Sequence, residues 1–223
     1  MKKIIRLTES DLNRIVKRVI KEQEEELVFS QDDFIYKWNS VLNAAKGRPF
    51  HIQGDLDLYR ANIKSLGNLK SVGGDLFLTD SKIKSLGNLK SVGGRLILRR
   101  TDLKSLGNLE SVAGYLDLYY STIKSLGQLQ FVGGNLLLRG TNLKSLGNLK
   151  SVKGYLDLFN TNIEYLGDLQ SVGTSLDLYG TKVRSLGNLK RVGETLDLRN
   201  TPMSNWYSVN QIRQMVEASE IYI

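Results

Sequence analysis

The sequence predicts a repeat solenoid, in which short coils stack along one axis. A ten-residue segment, SLGNLKSVGG, stands at 65–74 and returns unchanged at 85–94. Close variants begin at positions 105, 125, 145, 165 and 185, so the period stays at 20 residues with no insertion. Each unit also carries a short alternation of leucines with outward residues, and a run of apolar residues spaced by three. A fixed period of this length is the signature of a repeat architecture.

The alternating segment of each unit predicts a strand. In the first unit, Leu56 and Leu58 point to one side of the extended chain, while Asp55, Asp57 and Tyr59 point to the other. This is the pattern of a half-buried strand. The leucine pair recurs every 20 residues as far as 196 and 198, which predicts about eight strands in a single parallel sheet.

The segments between the strands must return the chain to the start of the next coil. Apolar residues spaced by three and glycines at turn positions suit such a return. Roughly ten residues remain for it, which favours extended or short 3₁₀ segments over a full helix. In the first coil the apolar residues are Ile63, Leu66, Leu69 and Val72.

Leu96, Leu98, Thr101 and Leu103 resemble the leucine-rich-repeat consensus L-x-L-x-x-N-x-L, with threonine in the asparagine position. The resemblance covers roughly residues 52–203, and the Gly-x-Leu-x-Leu pattern is also similar to the coils of receptor L domains. It implies that the outward strand residues line a concave face, where ligands of this family usually bind. The asparagine column of the family is replaced by residues whose hydroxyls we expect to hydrogen-bond the backbone of neighbouring coils. These are Ser81, Thr101, Ser121, Thr141, Thr161, Thr181 and Thr201, with Ala61 in the first coil.

Both ends of a stack expose an apolar face, so we expect helical caps there. Residues 31–46 form an amphipathic pattern with Phe34, Trp38 and Leu42 at helical spacing. At the other end, residues 208–219 predict a helix and residues 221–223 a short strand. The predicted organisation is an N-terminal helix at 1–27, a helical cap at 28–51, the solenoid at 52–203 and a second cap at 204–223.

The N-terminal helix is predicted from Thr8 to about Glu26, with a capping box formed by Thr8 and Asp11. Three roles stay open: an extra cap, a helix that docks on a partner, or a removable leader. The opening MKKIIRLTESDL resembles the start of many small phage-encoded proteins, and residues 20–22 resemble a cut site of phage prohead proteases. This resemblance implies a virion-associated structural protein as a second functional hypothesis.

The outward strand positions differ from coil to coil, while the leucines beneath them repeat. Such variation predicts a specific surface that binds another protein, with passive drift as the alternative. Aromatic residues, arginine and aspartate are residue types that anchor protein interfaces. Tyr119, Arg139 and Phe159 share one row and suit cation–π stacking. The candidate partner-binding residues are Tyr59, Phe77, Ile97, Arg99, Tyr115, Tyr119, Arg139, Tyr155, Asp157, Phe159, Asp177, Tyr179 and Asp197.

Three aspartates of this set, Asp157, Asp177 and Asp197, are predicted to stand one strand spacing apart, about 4.8 Å, where like charges repel. A bound cation, a basic group of a partner, or solvation with help from Arg199 would relieve the repulsion. The net charge of +8 arises elsewhere, in the return segments. There a ladder of cations predicts polyanion or nucleic-acid binding as a third hypothesis, with a solvated face as the alternative. Its residues are Lys64, Lys84, Lys104, Lys124, Lys144 and Arg184.

No motif in the sequence predicts an enzyme. Cysteine is absent, which excludes disulfides and thiolate chemistry, and His51 is the single histidine. We expect His51 to belong to the capping layer, and we predict no catalytic residue, cofactor or metal site. No export signal and no apolar run long enough to span a membrane are found, so we expect a soluble protein in the cytoplasm, or in a virion if it is phage-encoded.

Overall fold

The computed structural model describes residues 27–29 and 38–223, and it is a parallel β-solenoid. Its coils carry two parallel sheets, each with nine strands among the described residues. The first sheet contains the eight leucine-pair strands that the sequence predicts, together with a ninth at the C-terminal end. These are β3 (Leu56–Asp57), β5 (Leu76–Phe77), β7 (Leu96–Ile97), β9 (Leu116–Asp117), β11 (Leu136–Leu137), β13 (Leu156–Asp157), β15 (Leu176–Asp177), β17 (Thr195–Asp197) and β18 (Glu220–Tyr222).

The second sheet is formed by the return segments. The solenoid prediction is confirmed, but the expectation of a single sheet was incomplete. Extended return segments carry backbone N–H and C=O groups that need partners, and the identical positions of the next coil supply them. Its strands are β1 (Leu27–Phe29), β2 (Phe50–Ile52), β4 (Leu69–Val72), β6 (Ser91–Val92), β8 (Ser111–Val112), β10 (Phe131–Val132), β12 (Ser151–Val152), β14 (Ser171–Val172) and β16 (Arg191–Val192).

Between the repeats, both sheets keep a register of 20 residues from coil to coil, and only the pairings with the terminal strands β1, β2 and β18 depart from it among the described residues. Leu136 aligns with Leu116 on one side and Leu156 on the other, and Val132 aligns with Val112 and Val152. The core between the sheets therefore consists of stacked copies of the same leucine and valine positions, which are nearly all fully buried. Each coil contacts mainly its neighbours, as in other solenoids.

Glycine is required where coils approach closely. Gly87 has a φ of +61°, and a Cβ placed there would lie 2.1 Å from the carbonyl oxygen of Gly67 in the preceding coil. Both the left-handed backbone and the stacked carbonyl therefore exclude a side chain. Gly107 has a φ of +60°, but a Cβ there would meet no heavy atom within 4 Å beyond its own chain neighbours.

The hydroxyl column is buried as expected, but its hydrogen bonds run within a coil. Thr161 Oγ1 donates to the carbonyl oxygen of Leu158, three residues earlier, at 2.7 Å. The expectation of bonds to neighbouring coils was wrong, because the turn after each strand brings this carbonyl directly under the threonine. Thr101, Thr141, Thr181 and Thr201 make the same bond.

Short helices lie at the ends of the described chain. The first, α1 (Trp38–Ala45), buries Trp38 and Val41 against the first coil, while Phe34 and the helix predicted for residues 8–26 lie outside the described residues. At the C-terminal end, α2 (Pro202–Trp206) and α3 (Val209–Arg213) precede β18. The helix predicted at 208–219 is shorter than expected, since the chain turns after α3 to reach β18. Within the described part of the chain, no helix has the length and apolar character needed to cross a membrane.

Candidate functional site

The outward side of the first sheet, which we call the strand face, carries three rows of variable side chains. In the first coil the rows begin at Asp55, Asp57 and Tyr59, and each row repeats every 20 residues. The strand register aligns Asp117, Leu137 and Asp157 in the central row. The three rows predicted from the sequence are therefore adjacent on one surface.

The aspartates of the central row shape the local backbone. In five coils the Oδ1 atom accepts a hydrogen bond from the amide two residues further on, as when Asp157 Oδ1 accepts from the Phe159 N–H at 3.0 Å. Such side-chain turns are typical of aspartate at the end of a strand. The same bond is made by Asp57, Asp117, Asp177 and Asp197.

The second carboxylate oxygen of these aspartates faces arginines of the strand face. Arg99 Nε donates to Asp117 Oδ2 at 2.6 Å, although Asp117 is only 1% exposed. Arg139 Nε lies 3.7 Å from Asp157 Oδ2, and Arg199 pairs with Asp197 at 2.6 Å. The first two pairs connect one coil to the next, so that a buried carboxylate is neutralised by a cation of the preceding coil.

Asp177 differs from its neighbours in the row, since no cation lies within ion-pair distance among the described residues. The Tyr155 hydroxyl donates to Asp177 Oδ2 at 3.1 Å instead. Burial raises the pKa of the Asp177 carboxyl, and the flanking Asp157 and Asp197 carboxylates add to the shift. Burial also raises the pKa of the Tyr155 hydroxyl. Internal hydrogen bonds and arginines thus reduce the predicted repulsion among the three aspartates, and the part that remains contributes to the raised pKa of Asp177.

Arginines and aromatic rings interleave along the flanking row. The Arg139 guanidinium carbon lies 4.2 Å from the ring centroid of Phe159, and this ring stacks on Tyr179 at 5.1 Å with an interplanar angle of 10°. Arg199 then lies 5.7 Å from the Tyr179 centroid and 5.3 Å from that of Tyr222. The result is a continuous cation–aromatic stack that spans four coils and β18.

A second, smaller stack lies nearer the N-terminal coils. Arg95 lies over the rings of Phe77 and Tyr115, and its Nε donates to Asp75 Oδ2 at 2.7 Å. The Arg95 guanidinium lowers the pKa of the Asp75 carboxyl. Arg99 lies 5.8 Å from the Tyr119 ring centroid. The same types of residue therefore order the strand face on both sides of Leu137.

No family model, no curated protein and no solved structure matches this chain. The function is therefore inferred from the geometry of the strand face.

Most predicted strand-face residues contribute to these contacts, and some do not. Tyr59 is half exposed and contacts Arg60, whose guanidinium carbon lies 4.9 Å from its ring, rather than the main stack. Ile97 is partly buried in the central row.

No group of three or more His, Asp or Glu residues in the described ranges is arranged to hold a metal ion.

Five residues that take part in these contacts were not among the predicted partner-binding residues, namely Asp75, Arg95, Asp117, Arg199 and Tyr222. Asp75 and Arg95 belong to the flanking row that begins at Asp55, and their opposite charges one coil apart were the available signal. Tyr222 lies outside the repeats and reaches the strand face because β18 pairs with β17, where it aligns with Asp197. The short strand predicted for residues 221–223 was the only indication.

The outward side of the second sheet has a different composition. From Ser71 to Arg191 its central row consists of serine except at Phe131 and Arg191, and Ser91 aligns with Ser71 and Ser111. Glycine or another small residue follows in most coils. His51 aligns with Ser71 on this side, and its Nδ1 lies 2.6 Å from the Ser71 hydroxyl. This serine recurs in most coils, so its position opposite His51 follows from the register of the repeats.

The cations predicted to form a ladder lie on a third side of the solenoid. Lys64, Lys84, Lys104, Lys124 and Lys144 are all exposed. Arg184 does not continue the row, because Glu164 intervenes and the Arg184 guanidinium lies 6.0 Å from the Trp206 ring centroid.

Proposed function

We propose that the protein is a non-enzymatic binding module whose strand face recognises another protein. The observation that carries this proposal is the contrast between the two sheets. Both are built from the same repeats, yet the second sheet presents mainly serine and glycine, while the strand face presents a different set of Asp, Arg and aromatic side chains in each coil. Crowding between coils fixes the glycines of the second sheet, so the comparison rests on its partly exposed serine row, which passive drift would diversify as it would the strand face.

The chemistry of the strand face suits protein recognition. Tyr, Phe and Arg are enriched among the residues that contribute most to protein interfaces. Here Arg139, Phe159 and Tyr179 already hold one another in place through stacking. A side chain that is ordered before binding loses less conformational entropy on binding, so the stack is suited to anchor a partner.

The resemblance of the repeats to leucine-rich repeats is consistent with this role, because that family presents variable residues on its strands. Fold resemblance alone does not establish function. The proposal therefore rests on the strand face of this chain, and the resemblance adds only that such a face is a common place for partners to bind.

Affinity capture from native lysate tests the proposal. The variant Tyr119→Ala/Arg139→Ala/Phe159→Ala removes the centre of the strand face. The variant Gln130→Ala/Phe131→Ala/Lys153→Ala removes a matched aromatic and cation from the second sheet, where Lys153 lies 5.5 Å from the Phe131 ring centroid. We expect the control to retain the proteins captured by the wild type and the strand-face variant to lose them. Capture that survives in the folded strand-face variant would refute the assignment.

A further inference from the structure

The lysine ladder comprises Lys64, Lys84, Lys104, Lys124 and Lys144, one from each of five consecutive coils. Backbone hydrogen bonds join its coils in pairs, since the Lys84 N–H donates to the Lys64 carbonyl at 2.9 Å and the Lys124 N–H to the Lys104 carbonyl at 2.9 Å. Parallel strands lie about 4.8 Å apart, so the five positions extend over at least about 19 Å along the solenoid axis. The ladder is therefore a row of cations whose order along the axis is set by the fold.

The ladder keeps its positive charges unpaired along most of its length. Among the described residues, no carboxylate lies within 4.0 Å of the ammonium groups of Lys64, Lys84, Lys104 and Lys124, and Lys144 has only a 3.8 Å contact with Glu164. Like charges on neighbouring coils repel one another, although solvent and salt screen the repulsion between exposed side chains. The fold thus maintains five neighbouring cations in spite of their mutual repulsion.

A neighbouring row of the same repeats shows how that repulsion can be relieved. The row that begins at Lys70 has lysine in some coils only, and Lys90 there pairs with Glu110 at 3.1 Å. In the same row, Lys150 Nζ donates to Gln130 Oε1 at 3.0 Å. The ladder position keeps lysine in five consecutive coils before Glu164 interrupts it, whereas the row at Lys70 changes after two coils, so the ladder position has diversified less.

A depression of about 370 Å³ opens between the last two coils of the ladder. Its lining includes Lys124 and Lys144, the hydroxyls of Ser125 and Ser145 and the amide of Asn142, with no acidic residue. Ser125 and Ser145 accept backbone N–H groups through their oxygens, which leaves the hydroxyl protons available for donation. Two ammonium groups and several neutral donors around one opening are complementary to a phosphate.

We propose that the lysine ladder is a second binding site, which takes the phosphodiester backbone of double-stranded nucleic acid without reading its sequence. Double-stranded DNA carries a negative charge for about every 1.7 Å of axis, so a ladder of about 19 Å meets more phosphates than it has lysines. Lysine acts as a point charge on a flexible stem and needs no fixed phosphate geometry. The ladder has no aromatic residue between its lysines, so it lacks the platforms that stack unpaired bases.

The proposal fixes the expected salt dependence. A protein that neutralises Z phosphates of duplex DNA has a slope of log K against log salt of about −0.9Z, so five contacts give about −4.5. The association constant should then fall by about 500-fold between 50 and 200 mM salt. Each lysine removed should reduce the magnitude of the slope by about 0.9.

Binding of a fluorescent 20-base-pair duplex, followed by anisotropy across this range of salt, tests the proposal. The ladder variant replaces Lys64, Lys84, Lys104, Lys124 and Lys144 with glutamine. A charge-matched control replaces Lys70, Lys90, Lys150, Lys153 and Lys190 with glutamine, and thermal unfolding followed by circular dichroism verifies that both variants are folded. We expect the control to keep a slope within about one unit of the wild type, and the ladder variant to lose at least 100-fold in affinity at 50 mM salt.

Three results would overturn the proposal. Equal loss of affinity in the two variants would mean that net charge, and not the ladder, attracts DNA. If the wild type does not bind the duplex at 50 mM salt, nucleic acid is not the ligand. This conclusion holds even if the protein binds heparin under the same conditions. A preference of more than 10-fold between duplexes of unrelated sequence would exclude recognition through the backbone alone.

Discussion

Arg139 lies over the ring of Phe159, the residue one coil further along the strand face, with its guanidinium carbon 4.2 Å from the ring centroid. The other side of that ring is stacked on Tyr179. Arg139 also faces Asp157, with 3.7 Å between Nε and Oδ2. One arginine thus connects the aspartate row and the aromatic row of the strand face, and it does so across a coil boundary.

The first prediction concerns the energy of this contact. In a double-mutant cycle of Arg139→Lys and Phe159→Leu, we expect a coupling of about 0.5–1 kcal/mol in the free energy of unfolding, because lysine keeps the charge but loses the planar stack. Urea denaturation of the four proteins measures it. A cycle of Lys153→Gln and Phe131→Leu on the second sheet, where the cation lies 5.5 Å from the ring centroid, should give a smaller coupling. Additive effects at Arg139 and Phe159 would contradict the prediction.

The second prediction concerns pH. The pKa of Asp177 is raised in the folded protein, so its ionised form lowers stability at neutral pH, and the loss is recovered as pH falls through the folded pKa towards the ordinary aspartate value. Asp177→Asn should therefore stabilise the protein at pH 7, with a gain that shrinks on acidification. Urea denaturation at several pH values measures this.

Asp75 supplies the opposite control, because its pKa is lowered by Arg95. Its contribution to stability is present above the ordinary aspartate value and is lost as pH falls through the folded pKa. Asp75→Asn should therefore destabilise the protein at pH 7 and have little effect at the lowest pH. If the free energy of unfolding at pH 7 changes in the same direction in both variants, burial and pairing do not determine how these two carboxyls contribute to stability.

The third prediction concerns the hydroxyl column. Ser81 and Ser121 are buried, and their hydroxyls have no hydrogen-bond partner within the described structure, whereas the threonines of the column bond the carbonyl three residues earlier. Ser81→Thr and Ser121→Thr should each raise the free energy of unfolding by roughly 1 kcal/mol, through the added methyl group and the fixed hydroxyl. Thr161→Ser should lower it by a similar amount. Thermal unfolding measures these effects. If the midpoint of Ser81→Thr or Ser121→Thr is unchanged or lower than that of the wild type, the explanation is wrong.

The fourth prediction separates backbone strain from crowding at glycine. Gly87 and Gly107 have nearly the same positive φ, but only at Gly87 would a Cβ meet a carbonyl of the preceding coil. Gly107→Ala should cost about 1–2 kcal/mol for the left-handed conformation, and Gly87→Ala should cost more. Chemical denaturation of the two variants decides this, and equal losses would indicate that the coils adjust to the added methyl group.

The leucine core and the register of the first sheet could be predicted because they depend on periodicity alone. Leu56 and Leu58 alternate with outward residues, and their copies must stack when the period never changes. The second sheet was missed for a physical reason. Strands such as β6 have two residues and bury only Val92, so they show no alternation, and their pairing becomes visible only when the coils are closed.

The candidate site was predictable in part. The equal spacing of 20 residues placed Tyr119, Arg139 and Phe159 in one row. It could not show that Arg139 would pair with Asp157. Nor could it show that Asp177 would accept a hydrogen bond from Tyr155. The partner of each aspartate depends on the length of the neighbouring side chains and on burial, and neither follows from the period of the repeat. Tyr222 could not be placed, because its position follows from the way the chain turns after α3.

Asp117 and Asp157 each divide their two oxygens between separate tasks. One oxygen holds the amide that follows the strand, and the other meets an arginine from the coil before. The first oxygen holds the turn whatever residue stands at position 99 or 139, whereas the second oxygen needs a cation or another donor there, because a buried carboxylate without a partner destabilises the fold. A change of the surface at either arginine is therefore coupled to the aspartate of the following coil, and recognition would be altered by pairs of coils.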